Sequence, residues 1–136
     1  MCADVTALKD IFSYNLEQLR GEEVHNIITC VMNEFHTDVN GAILWVEHYL
    51  RGVMERFRVA LDALPQWEEP LNSQVKEYCD GLGHWVRGHD QWNFESGRYF
   101  GNKGLEIMEH RWMSLLPKDS ASATQIGPVH IDSSRL

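Results

Sequence analysis

A chain of 136 residues fits one domain, and 43% hydrophobic with 10% aromatic residues is enough apolar material to bury a core, which excludes a disordered acidic polymer. The formal net charge is −8, and Lys and Arg stand singly among Asp and Glu with no basic run. That balance argues against a nucleic-acid backbone or an anionic membrane surface as partner, and an anionic ligand would need divalent cations to bridge it to the protein.

Apolar positions recur at helical spacing almost throughout, and period-two alternation with turn dipeptides is absent, so the fold class is all-α. A first helix is predicted over Thr6 to Leu19, stopping near Gly21. A second is expected to begin at Glu22 or Glu23, acidic residues suited to a helix N-terminus, and to bury Val24, Ile27, Ile28, Val31, Met32 and Phe35 on one face. A third covers about Val39 to Leu64 and is closed by Pro65.

The fourth opens after Pro70 and carries Leu71, Val75, Tyr78, Leu82, Trp85, His89 and Trp92 in the same rhythm. Gly81, Gly83 and Gly88 interrupt it at about 1 kcal/mol each relative to Ala, so a bend or a closely approaching neighbour is expected there. An apolar piece from Leu105 to Leu116 ends at Pro117, and residues 1 to about 116 are expected to be nearly all helical. Residues 117–136, rich in Ser, Gly and small polar residues, read as a flexible tail.

Cys2, Cys30 and Cys79 form no CxxC pair and no even framework, which points to a reducing, cytoplasmic setting rather than a disulfide scaffold. No apolar segment approaches the ~20 residues needed to span a bilayer, and MCADVTALKD has no basic n-region followed by an apolar stretch. Seven histidines include no HExxH, and no GxSxG, P-loop or GxGxxG occurs, which removes common zinc-hydrolase, nucleotide and dinucleotide readings.

Two strings carry candidate chemistry. In KDIFSYNLEQLRG, Ser13 and Glu17 lie four residues apart on one helix face with Lys9 a turn further back. A hydroxyl and a carboxylate so placed offer hard oxygen ligands to Mg²⁺, although the same spacing also occurs on plain solvated helix faces. In WNFESGRYFG, adjacent Arg98 and Tyr99 offer a forked guanidinium and a phenol to phosphate oxygens. The alternative there is a helix-end Arg lying over a core Tyr.

The order of these pieces adds a further reading. A helix reading (N/D)D-I/V-x-S-x-x-x-E (Asp10 to Gly21), then His25 and Asn26, a Leu64–Pro65 stop, Trp92 to Gly101, and LEIMEHRWMSLLP together resemble the C-terminal half of class I terpene synthases, with the sesquiterpene synthases of basidiomycete fungi as the nearest likeness. The resemblance spans roughly residues 8 to 117. It implies a helical bundle around an apolar pocket in which Mg²⁺ holds a prenyl diphosphate, farnesyl diphosphate above all, and triggers its ionisation and cyclisation. Ser13 and Glu17 then match two ligands of an asparagine, serine, glutamate triad, and Arg98 and Tyr99 match a diphosphate contact.

Lys9 departs from the pattern, standing where asparagine is expected; an ammonium cannot ligate Mg²⁺ and would repel it. No DDxxD-like string occurs, and the family's aspartate-rich motif lies upstream of the triad. The expectation is therefore a truncated, inactive piece of a terpene synthase (residues 1–116), and the rival reading is a non-catalytic helical interaction module built on that scaffold.

Overall fold

The computed structural model describes residues 2–118. The expected tail lies outside the described residues from 119 onward. The architecture is all-α: α1 (Cys2–Arg20), a 3-10 turn (Glu23–His25), α2 (Ile27–Phe35), α3 (Val39–Asp62), α4 (Leu71–Glu95), a second 3-10 turn (Gly101–Lys103) and α5 (Gly104–His110). No strand occurs among the described residues. α1 is the hub, packing against α2, α3 and α4, while α5 packs on α4.

Local chemistry sets the boundaries. α1 ends where Gly21 enters the left-handed region at φ 70°. The chain does not resume as helix at Glu22 or Glu23. It makes the 3-10 turn first, and α2 starts at Asn26, whose side-chain oxygen accepts the Ile28 N–H at 3.0 Å. That offset takes Val24 off the buried face, leaving it 54% exposed.

Ile28 and Val31 are buried as the pattern implies. Phe35 is exposed, lying against the Trp45 ring at 5.5 Å. α3 begins behind Asp38, which caps the Gly41 N–H at 2.8 Å. α4 runs unbroken past Gly81, Gly83 and Gly88, and a Cβ at any of the three would meet nothing within 4 Å, so no neighbour approaches closely there.

The largest departure follows α5. Apolar spacing continues from Leu105 to Leu116, yet the helix stops at His110, Arg111 turns left-handed at φ 56°, and residues 111–118 run on without helix. The reason is a better set of partners for their backbone than a helix would provide. Asn15 Oδ1 accepts the Leu116 N–H at 2.8 Å, Asn15 Nδ2 donates to the Ser114 carbonyl at 3.2 Å, and Gln18 Nε2 donates to the Leu116 carbonyl at 2.7 Å. This strap ends on Lys118, whose ammonium meets Glu23 Oε1 at 2.7 Å.

Two clusters hold the helices together. Ala7, Tyr14, Ile28, Val31, Ala42 and Val46 form the core between α1, α2 and α3. On another side of α1, the Phe12 ring meets Phe94 edge-on at 4.9 Å and Phe100 at 5.8 Å, which fixes the end of α4 and the turn after it.

Candidate functional site

Lys9, Ser13 and Glu17 stack along one face of α1, and the N-terminus of α2 is pressed against that face. Lys9 Nζ donates to Glu17 Oε1 at 2.8 Å and to Asp10 Oδ1 at 3.2 Å. Asn26 Nδ2 donates to Glu17 Oε2 at 2.9 Å and to the Asp10 carbonyl at 2.9 Å, and stands 3.5 Å from Ser13 Oγ. Asp10 Oδ2 accepts the Ile27 N–H at 2.9 Å, so this carboxylate caps α2 from a neighbouring helix. Ser13, Asn26 and Asp10 are buried.

The charges in this cluster shift one another. Burial pulls the Glu17 carboxyl upward, but hydrogen bonds from Lys9, Asn26 and Ser13 together outweigh it and hold the group below its ordinary value. The Lys9 ammonium is raised, first by its hydrogen bond to Glu17 and then by Asp10, against the opposing effect of burial. Both shifts mark an ion pair that is charged at neutral pH.

As it stands, the donor set does not fit a divalent cation. Glu17 Oε1 and Oε2 and Asp10 Oδ1 and Oδ2 each already accept from a nitrogen donor, and the ammonium lies on the oxygen a metal would need. Among the described residues, no group of three His, Cys, Asp or Glu side chains is arranged to hold a metal ion. The cavity beside the cluster measures about 190 Å³ and is lined by Lys9, Asp10, Glu17, Glu22, His25 and Asn26.

Arg98 and Tyr99 do not line that cavity. They follow Gly97, which turns left-handed at φ 71° after α4, and precede Gly101 at φ 57°. The Tyr99 ring stacks on Phe12 at 6.3 Å, and the exposed Arg98 guanidinium lies 5.5 Å from the Tyr99 ring centre. Phe12 is five residues from Glu17, or about 140° around the helix. Among the described residues, no hydrogen bond or ion pair joins Arg98 or Tyr99 to the Lys9–Glu17 cluster.

Sequence reasoning missed two members of this cluster. Asn26 is its central donor; the sequence marks it as one piece of the family resemblance and as an Asn directly before an apolar helical run, an N-cap signature, but neither signal gives it a role at Glu17. Asp10 is rotated off the Ser13–Glu17 line, and its partner is a backbone N–H 17 residues away, which no local pattern reveals.

Residues 1–56 match the model of terpene synthase family 2, C-terminal metal binding. The chain is 48% identical over 136 residues to a Delta(6)-protoilludene synthase of Armillaria ostoyae, covering 99% of this chain and 39% of that protein. It is 52% identical over 127 residues to a Delta(6)-protoilludene synthase of Stereum hirsutum, covering 93% and 36%. It is 50% identical over 113 residues to a sesquiterpene synthase of Cyclocybe aegerita, covering 83% and 30%. The chain thus spans about two fifths or less of the length of these relatives. Alignment of 83–99% of this chain at this identity, with the metal-binding model falling on α1, α2 and most of α3, makes the chain similar to the C-terminal part of terpene synthases.

Proposed function

We propose that the chain is the C-terminal part of a sesquiterpene synthase whose complete form ionises and cyclises a prenyl diphosphate, farnesyl diphosphate first, with Mg²⁺ as its cofactor. The observation that supports this reading is the 48% identity, over 99% of this chain, to a Delta(6)-protoilludene synthase. In the proposal, Ser13 and Glu17 occupy metal-ligand positions and Arg98 and Tyr99 occupy diphosphate-contact positions. With Lys9 on the Glu17 carboxylate, no metal-dependent step is assigned to these 136 residues, and the polypeptide on its own does not turn over farnesyl diphosphate. A reducing cytoplasm is the proposed compartment: Cys30 and Cys79 are free thiols, and no described helix is long and apolar enough to cross a membrane.

The same ion pair supports a second reading, a helical interaction module that keeps the scaffold without the chemistry. The test is to graft residues 1–118, with and without Lys9→Asn, in place of the matching part of the Stereum hirsutum synthase and analyse extracts by gas chromatography after incubation with Mg²⁺ and farnesyl diphosphate. Terpene products from the Lys9→Asn graft, and none from the purified polypeptide above a boiled control, support the first reading. Silence from a folded Lys9→Asn graft would favour the interaction module.

A further inference from the structure

We propose that Lys9 is a tethered cation that stands in for a divalent metal ion at the Glu17 carboxylate, so that this face of the fold is charge-compensated and closed without metal. The inference rests on the reading that Ser13 and Glu17 occupy metal-ligand positions, and it concerns what this particular chain has put there instead.

Four carboxylate oxygens converge at the junction of α1 and α2, and all four are engaged by nitrogen donors: Glu17 Oε1 and Asp10 Oδ1 by the one ammonium, Glu17 Oε2 by Asn26, and Asp10 Oδ2 by the Ile27 N–H. A magnesium ion demands near-octahedral oxygen ligands at 2.0–2.1 Å. To enter, it would have to displace an ammonium held at 2.8 Å and then remain beside it, because Lys9 is anchored by the same helix that carries Glu17. Ser13 offers little compensation, since its hydroxyl is buried between the Asp10 carbonyl and the Asn26 amide at 3.5 Å from each.

The cluster also has structural work that a metal is not needed for. Asn26 is at once the N-cap of α2 and the donor to Glu17 and to the Asp10 carbonyl. Lys9 ties the two carboxylates together from the solvent side, with 41% of its side chain exposed. Two negative charges and one fixed positive charge then hold the two helices in register at any metal concentration.

The test uses the full 136-residue chain and Mn²⁺ as probe, read by the loss of the free-ion electron paramagnetic resonance signal. The unsubstituted protein should leave that signal as in buffer from micromolar to millimolar Mn²⁺, and its thermal midpoint should not move between Mn²⁺ and EDTA. Lys9→Asn should tighten Mn²⁺ binding at least about tenfold by removing a like charge from beside the ion, and adding Glu17→Gln should abolish the gain. Saturable Mn²⁺ binding by the unsubstituted chain that is lost in Glu17→Gln overturns the proposal. So does a Lys9→Asn protein with unchanged helical circular dichroism and no gain in binding. Should Lys9→Asn fail to fold, Lys9→Gln and Lys9→Met are read by the same criterion. Failure of the family activity would instead appear as a silent graft, whether or not the metal measurements hold.

Discussion

The side-chain amide of Asn15 clamps the backbone of Leu116, accepting its N–H at 2.8 Å across 101 residues of sequence. The same amide donates to Ser114, and Gln18 takes the Leu116 carbonyl, so that two buried side chains of α1 satisfy both polar groups of one strap residue. Replacing Asn15 by Leu leaves those strap groups unpaired, a cost of about 1–3 kcal/mol. The expected result is amide hydrogen exchange in residues 113–118 faster by about tenfold or more, with α2 and α3 unaffected. Unchanged protection of the strap would mean that the clamp does not hold in solution.

The end of the strap should respond to acid. Glu23 lies below its ordinary value of 4.5, first because Lys118 hydrogen-bonds to it and then through a backbone hydrogen bond. A lowered carboxylate stabilises fully above pH 4.5 and loses that contribution as pH falls through its folded value. Lys118 is raised above 10.5, first by Glu23, so its contribution is full below that pH and lost above. Tyr14 and Glu17 act on the pair only through space. Because the Lys118 side chain is 68% exposed, the effect is at most about 1 kcal/mol. In a nuclear magnetic resonance titration, strap amides should be steady from pH 7 to 5 and shift below about 4.5. Lys118→Met should move that midpoint back up towards the ordinary carboxyl value, and no difference between the two proteins would refute the pairing.

These contacts mark what the sequence does and does not reveal. The start of α3 at Val39 and of α4 after Pro70 follow from apolar spacing and a proline stop, both local signals. The end of α5 was invisible because Leu115 and Leu116 continue the apolar rhythm, while the groups that pull them out of helix, Asn15 and Gln18, sit on α1. Similarly, the face shared by Ser13 and Glu17 is legible from a four-residue spacing. That the Lys9 ammonium and the Asn26 amide would take both oxygens of Glu17 depends on how α2 docks.

Glycine substitutions should separate packing from propensity. A Cβ on Gly104 would run into the Phe94 carbonyl, a backbone group that cannot rotate aside, so Gly104→Ala should cost about 1–3 kcal/mol and loosen α5 from α4. Gly81 sits in the interior of α4 with open space around it, and Gly81→Ala should stabilise by up to about 1 kcal/mol. Urea unfolding of the two variants should give shifts of opposite sign. Equal shifts would show that α5 is not seated on Phe94.

The outer faces of α3 and α4 should drive self-association of the purified chain. Tyr78, Trp85 and Trp92 recur every seven residues along α4, so they form one stripe, and they are 68%, 54% and 46% exposed. On α3, Leu44 is 64% and Met54 46% exposed, and an open groove of about 860 Å³ has an apolar floor of Leu8, Ile11, Ile43, Leu50 and Met54 among charged side chains such as Glu47, Arg51, Glu55 and Arg58. Single exposed apolar side chains are ordinary on a protein surface, but three large aromatics in one line along α4, together with exposed apolar side chains on α3, make a surface that water does not solvate well. The net charge of −8 opposes association, yet Coulomb repulsion at physiological salt is screened within roughly 8 Å, which leaves close apolar contact free to win. The purified chain should therefore bind a hydrophobic dye and sediment as more than a monomer at tens of micromolar. Tyr78→Glu with Trp85→Glu, at positions whose side chains face solvent, should suppress both effects while preserving helical circular dichroism. A dye-negative monomer for the unsubstituted chain would show that these faces are better solvated than their exposure implies.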